Sequence, residues 1–75
     1  MSETTLDLKG LKCPLPALKT RKAMTRLAEG DHLVVLTTDP MAEIDIPHFC
    51  QENGHALLAR ERTDFGHRFL LSKGG

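Results

Sequence analysis

The sequence predicts a small α+β fold, a two-layer sandwich in which two helices cover one face of a four-stranded mixed sheet. Three observations support this prediction. Four short segments are rich in apolar residues, two segments with helical spacing lie among them, and turn residues separate all six. The predicted order is βαβαββ, and a chain of 75 residues has room for one domain, spanning residues 1–75.

The first three elements form a strand–helix–strand unit. Residues 5–8 alternate as a half-buried strand does, and the apolar run in residues 32–37 is typical of an interior strand. A helix is predicted between them from Pro14 to Glu29, because proline suits the first helical position and Gly30 follows the last periodic residue. Since such crossovers are right-handed and join parallel strands, the first two strands should be parallel.

A second helical segment follows the second strand. Asp39 and Pro40 repeat the start signal, with Asp39 as N-cap and Pro40 as the first helical residue, and the segment ends at Asn53–Gly54. Pro47 lies inside it. Because proline lacks an NH group and its ring clashes with the preceding turn, the sequence predicts a broken helix at this point.

The last part of the sequence predicts a β-hairpin. Its strands are predicted at residues 55–62 and 65–73, joined by a turn at Thr63 and Asp64 with Gly66 close by. The predicted core takes one stripe of the first helix and the three aromatic residues. These side chains are Ala17, Thr20, Ala23, Met24, Leu27, Phe49, Phe65 and Phe69.

The segment Leu11–Pro16 contains Cys13, the strongest candidate for a reactive side chain in this sequence. With Pro14 at the first helical position, Cys13 becomes the N-cap. A sulfur there should face unpaired NH groups and the positive end of the helix dipole, both of which favour thiolate over thiol. No acid occurs between Leu8 and Ala28, a stretch that carries six lysines and arginines. The sequence therefore predicts a reactive Cys13 with a lowered pKa.

A net charge of zero, from ten basic and ten acidic residues, hides a dipolar distribution. The first helix is basic, whereas acids gather in the second half of the chain, at Asp39, Glu43, Asp45, Glu52, Glu61 and Asp64. Leu15 and Leu18 lie among the cations of the helix, and this mixture is typical of a docking surface, although a solvated helix with isolated leucines gives the same pattern. An acidic protein surface or a nucleic-acid backbone would complement it.

Several classes of function lack support in the sequence. No apolar run is long enough to span a membrane, and the first residues lack the features of a secretory signal, so the expected location is cytoplasmic. The histidines show no metal-ligand spacing and no phosphate loop occurs, so we expect neither metal nor cofactor. With no Trp or Tyr to stack on bases, we expect no direct contact with nucleic acid.

The second cysteine, Cys50, lies in the second helical segment. A structural disulfide with Cys13 is disfavoured, because the expected compartment is reducing and the surroundings of Cys13 are activating. We expect Cys50 to pack inward as a small hydrophobic residue, out of reach of Cys13.

The chain resembles the TusA sulfur-carrier family over nearly its whole length. The short first strand, the CPxP signature, and the later DP and DIP blocks occur in the order of that family. The matching segments are residues 6–7, 10–16, 38–40, 45–50, 54–55 and 69–73. The resemblance implies the same βαβαββ sandwich.

The resemblance also implies a function. The motif cysteine, Cys13, would accept a sulfane sulfur from a cysteine desulfurase as a persulfide and pass it to another sulfurtransferase. In TusA itself this route leads to thiolation of the wobble uridine of certain tRNAs. The protein would then be a sulfurtransferase in the sense of a persulfide carrier, not a stand-alone catalyst. Placement on a similar surface suggests partner contacts at Lys12, Pro14, Leu15, Arg21 and Lys22.

One departure leaves the pathway open. Leu15 occupies the position between the motif prolines where TusA proteins of the tRNA pathway often carry an acid. Related carriers serve sulfur oxidation, molybdenum-cofactor enzymes or other routes. Two other classes of function are also considered, a thiol enzyme acting alone and a small regulatory or nucleic-acid-binding adaptor that uses the basic first helix.

Overall fold

The computed structural model describes residues 3–74 and confirms the predicted fold. Two helices pack together on one face of a four-stranded mixed sheet, in the order βαβαββ. The elements are β1 (Glu3–Leu8), α1 (Leu15–Met24), β2 (His32–Thr37), α2 (Ala42–Asn53), β3 (Ala56–Arg62) and β4 (His67–Ser72).

The sheet has the strand order β1-β2-β4-β3. β1 and β2 are parallel, as the crossover rule predicted, whereas β4 runs antiparallel to both β2 and β3. Leu8 at the end of β1 pairs with Thr37 at the end of β2. The loops that follow these two strands therefore leave the sheet side by side at the same edge, and this placement builds the site described below.

The core lies between the sheet and the helices, and most of its predicted members are confirmed. Thr20, Met24, Phe49 and Phe69 are buried, whereas Ala17, Ala23 and Leu27 are half-buried. The prediction is wrong for Phe65. This ring lies in the turn between β3 and β4, where it is partly exposed and carries the Lys9 ammonium 4.9 Å from its centre.

The helix α1 is shorter than predicted, because it ends at Met24 and not at Glu29. The Met24 carbonyl accepts from the Lys73 ammonium at 2.6 Å, whereas the Ala28 NH group, which would bond to it in a continued helix, donates to Asp31 Oδ2 at 2.9 Å. The next NH groups, of Arg26 and Leu27, bond three residues back and not four. Tight turns therefore replace the last predicted helical residues.

The helix α2 is continuous through Pro47, so the predicted break is wrong. Pro47 removes one backbone hydrogen bond, but the neighbouring side chains of Ile46 and Phe49 are buried in the core and hold the helix on the sheet. The helix begins at Ala42, two residues later than predicted, and ends as predicted before Gly54, which adopts a left-handed conformation. Among residues 3–74, no helix is long and apolar enough to cross a membrane.

The turn between β3 and β4 is closed by backbone bonds between Thr63 and Gly66, close to the predicted position. Gly66 has a φ of 149° and packs directly against the backbone at the end of β2. A Cβ atom added there would contact the Thr37 carbonyl oxygen and would lie 2.9 Å from Thr38 Cα. Only glycine permits this approach, which fixes the start of the loop that follows β2.

Candidate thiol site

The candidate site lies where the loop after β1 meets the loop after β2. The Gly10 NH group donates to Thr38 Oγ1 at 2.8 Å, and the Cys13 NH group donates to Asp39 Oδ2 at 2.6 Å. The other carboxylate oxygen of Asp39 accepts from the Met41 NH group at 3.2 Å. One carboxylate thus ties the backbone of Cys13 to the start of α2.

The thiol of Cys13 is exposed and points at a second carboxylate. Its Sγ lies 2.9 Å from Asp45 Oδ2, on the first turns of α2. Because an ionised carboxylate can only accept, the thiol donates its proton in this bond. The bond joins two residues 32 positions apart in the chain.

These contacts raise the pKa of the Cys13 thiol, contrary to the predicted lowering. The hydrogen bond to Asp45 is the largest cause, followed by partial loss of hydration and then by the negative charges of Asp45 and Asp39. Each of them disfavours the thiolate. The thiol form is therefore favoured at neutral pH, with the proton on Sγ and donated to Asp45 Oδ2.

The expected thiolate stabilisation fails for a local reason. The N-cap of α1 is Pro14, so Cys13 lies one residue before the cap. Pro14 and Pro16 have no NH groups, and the NH group of Leu15 donates to the Lys12 carbonyl at 2.9 Å. The first turn therefore offers the sulfur few of the donors that an ordinary helix N-terminus provides.

The expected separation of charges is also wrong at this site. The acids of the second half are distant from Cys13 in sequence, but the parallel pairing of β1 and β2 brings Asp39 and Asp45 beside it. The sequence predicted Asp39 only as the N-cap of the second helix, a position that Met41 occupies in the structure, and it predicted no role for Asp45. A usable signal existed, because side-by-side loops follow from parallel neighbouring strands.

A surface groove of about 330 Å³ runs from Cys13 between the two helices. Pro14, Leu18 and Arg21 line it on the α1 side, and the α2 side is more polar. There His48 Nε2 lies 3.2 Å from Glu52 Oε1, and both of these side chains are largely exposed. The groove therefore offers a mixed apolar and charged surface next to the thiol.

The residues predicted to contact partners divide into three groups. Pro14 and Arg21 line the groove with Cys13. Lys12 and Leu15 are exposed beside Cys13 in the chain, outside the groove lining. Lys22 lies in a separate shallow depression on α1, together with the other cations Lys19 and Arg26. The predicted exposure of Leu15 and Leu18 is confirmed, at 43% and 53%.

The thiol of Cys50 is buried in the core. Cys50 is 2% exposed and packs among the buried side chains of α2 and the sheet, as predicted. Burial raises the pKa of the Cys50 thiol to about 11. Both cysteines are free thiols, and only Cys13 is accessible.

The site is thus an accessible thiol beside an open groove, on a small two-layer α+β sandwich. The family model described as sulfurtransferase TusA matches residues 4–73, and the chain belongs to this family. Two relatives from Neisseria meningitidis, one from serogroup A and one from serogroup B, are each named "Putative sulfur carrier protein". Each is 47% identical over 64 residues, which cover 85% of this chain and 86% of the relative.

Proposed function

We propose that Cys13 accepts a sulfane sulfur from a cysteine desulfurase as a persulfide and delivers it to an acceptor sulfurtransferase. The observation that carries this proposal is the contrast between two thiols in one small chain. The thiol of Cys13 is exposed at the mouth of a groove, whereas that of Cys50 is buried. Membership of the TusA family supports sulfur transfer as the reaction.

A persulfide carrier benefits from a single accessible thiol. A second thiol within reach would attack the persulfide, form a disulfide and release the cargo as sulfide. The burial of Cys50 prevents this loss, because its sulfur faces the core and not the groove. The fold thus supports storage of the sulfur until an acceptor docks.

The surface around Cys13 suits a protein partner better than a small substrate. The groove is open, the exposed Leu18 lines it together with Arg21, and the exposed Leu15 lies outside its lining, two residues after Cys13. Apolar and arginine side chains near an exposed nucleophile are typical of protein docking surfaces. We propose that Lys12, Pro14, Leu15 and Arg21 contact the donor and the acceptor, and that Lys22 adds attraction for an acidic partner.

The pathway belongs to the proposal as well. Thiolation of tRNA to 2-thiouridine or a related sulfur-transfer route fits a TusA carrier, and Leu15 beside the thiol is a position where partner choice can differ. We place the relay in the cytoplasm, where a reducing environment keeps an exposed thiol such as that of Cys13 available for sulfur transfer.

Mass spectrometry of the protein after incubation with a cysteine desulfurase and L-cysteine tests the transfer. We expect a mass gain of about 32 Da, one sulfur, that is located on Cys13 and removed by a reductant. The Cys13→Ser variant should gain nothing, whereas Cys50→Ser should load like the unmodified protein. Equal loading of Cys13→Ser, or loading confined to Cys50, would refute the proposal.

A second candidate function rests on the basic depression of α1. Lys19, Lys22 and Arg26 lie together around Leu6 and Ala23, away from the groove of Cys13. A cationic surface separate from the thiol is compatible with a small regulatory or nucleic-acid-binding adaptor. This function predicts RNA binding that persists in Cys13→Ser and weakens steeply with salt. Absence of such binding in low-salt titrations would eliminate it.

A further inference from the structure

The carboxylate of Asp45 is placed to move a proton at the reacting sulfur. Its Oδ2 atom lies 2.9 Å from Sγ of Cys13, within direct transfer distance. A candidate general base must meet this geometric condition before any other. Among the described residues, the Asp45 carboxylate is the group that accepts from this thiol.

Both atoms of this pair are held in place by independent elements. Asp45 lies on α2 between Ala42 and Ile46, which are 1% and 0% exposed and anchor that helix in the core. The backbone of Cys13 is fixed by its NH bond to the Asp39 carboxylate. The thiol and its acceptor are thus brought together by the fold, and little reorganisation is needed for a proton to pass between them.

The charged groups that face this pair come from three elements. The loop after β2 contributes Asp39, α1 contributes Arg21, and α2 contributes His48 and Glu52 along the groove. Asp45 also lies near the N-terminus of α2, where a negative charge interacts favourably with the helix dipole.

We infer that Asp45 is the general base of sulfur loading, accepting the Cys13 proton as Sγ attacks and returning it to the sulfur that leaves the donor. The inference rests on the proposed persulfide function. It adds a second catalytic residue, one that contacts the reacting atom.

The step balances without a redox partner. With a donor R–S–SH, an electron pair of Sγ forms a bond to the outer sulfur, and the S–S bond of the donor breaks. The proton of the thiol passes to the Asp45 carboxylate. The inner sulfur of the donor leaves with the bonding electron pair and takes that proton, so that Cys–SH and R–S–SH become Cys–S–SH and R–SH.

This role explains why an acid is useful beside a nucleophilic thiol. The same carboxylate that holds the thiol protonated in the free carrier removes the proton when a donor sulfur arrives. The free protein would be poorly reactive toward reagents that need a thiolate already formed, yet competent toward a persulfide that can receive the proton back.

The test compares two reactions of Cys13 in the unmodified protein and in Asp45→Asn, at neutral pH. One is sulfur loading from glutathione persulfide, a small donor that removes any need for protein docking, followed as the mass gain of about 32 Da. The other is alkylation by iodoacetamide, which consumes the thiolate. We expect loading to slow by about tenfold or more, as for loss of a general base, while alkylation becomes faster.

Opposite changes in the two rates are the signature of a general base. If Asp45→Asn accelerates both reactions, or leaves loading unchanged, Asp45 only suppresses the thiolate and the inference is wrong. Asp45→Glu, which keeps a carboxylate, should load faster than Asp45→Asn. The matched control is Asp64→Asn, which removes an exposed acid in the β3–β4 turn and should leave both rates unchanged.

A measurement on the unmodified protein covers the possibility that Asp45→Asn fails to fold. Loading and alkylation of Cys13 are each divided by the rate of the same reaction of N-acetylcysteine in the same mixture, and the loading ratio should decline less toward acidic pH than the alkylation ratio. Parallel declines would contradict the inference. The proposed function fails separately, if the unmodified protein takes up no sulfur or if Cys13→Ser takes up as much.

Discussion

The two cysteines carry the same side chain, but the fold gives them opposite exposure to solvent. Cys13 lies in a loop at the sheet edge and is exposed, whereas Cys50 lies on the inner face of α2 and is 2% exposed. The pKa of both thiols is raised, but for different reasons. For Cys13 the main cause is one hydrogen bond to Asp45, and for Cys50 it is burial alone.

The two causes of the raised thiol pKa differ in how easily they can be reversed. A hydrogen bond to Asp45 can be broken or used when a partner docks, because the pair lies at the protein surface. Burial of Cys50 can be reversed only by opening α2 away from the sheet. A raised thiol pKa is therefore compatible with reactivity in the first case and indicates an inert core residue in the second.

The largest expected effect is a difference in labelling rate between the two thiols. In the folded protein at pH 8, a maleimide or a disulfide reagent should modify Cys13 at least about 100-fold faster than Cys50, since Cys50 reacts only through opening of the structure. In urea the two rates should converge. Rates can be followed by mass spectrometry of proteolytic fragments. Rapid labelling of Cys50 under native conditions would contradict its burial in the folded protein.

Most of the fold could be predicted from the sequence because its signals are local. The strand at residues 32–37 was predicted with its observed limits, and Gly54 ended α2 as expected. The errors arose where tertiary contacts overrule local propensity. At the end of α1, tight turns and the Asp31 carboxylate take the NH groups that a longer helix would use, and core packing carries α2 through Pro47.

The site was only partly predictable, for a related reason. The position of Cys13 before a helix can be read from the proline pattern, but its electrostatics depend on residues 26 and 32 positions away. Local charge counting included the lysines and arginines near Cys13 in sequence and omitted Asp39 and Asp45. Parallel pairing of the first two strands was predicted, and following it to the adjoining loops would have revealed Asp39.

The second largest effect is expected on the free energy of unfolding of the serine variants. Cys50→Ser places a hydroxyl in the core and should lower the free energy of unfolding by about 1–2 kcal/mol. Cys13→Ser should leave it unchanged within error, because the exposed side chain contributes no core packing. Urea unfolding followed by far-ultraviolet circular dichroism measures both. If Cys13→Ser is the more destabilised variant, the side chain of residue 13 has a structural role that its exposure does not indicate.

The smallest expected effect concerns salt. Part of the raised pKa of Cys13 comes from the charges of Asp45 and Asp39, and mobile ions screen exposed charges. Going from about 0.01 M to about 1 M NaCl shortens the screening length from roughly 30 Å to about 3 Å, so the pKa of Cys13 should fall. It should stay above that of the urea-unfolded chain, because the hydrogen bond to Asp45 is the larger cause and is not screened.

Ultraviolet absorbance of the thiolate in Cys50→Ser, recorded against pH at each salt concentration, measures this shift on Cys13 alone. A pKa that falls to the unfolded value in high salt would mean that charge, and not the Asp45 hydrogen bond, governs Cys13. A pKa insensitive to salt would remove the charges of Asp39 and Asp45 as causes and leave the hydrogen bond with local loss of hydration. In Cys13→Ser, the pKa of Cys50 should not respond to salt, because burial alone raises it and mobile ions do not change burial. The response to salt thus distinguishes the thiol held by neighbouring carboxylates from the thiol held by the core.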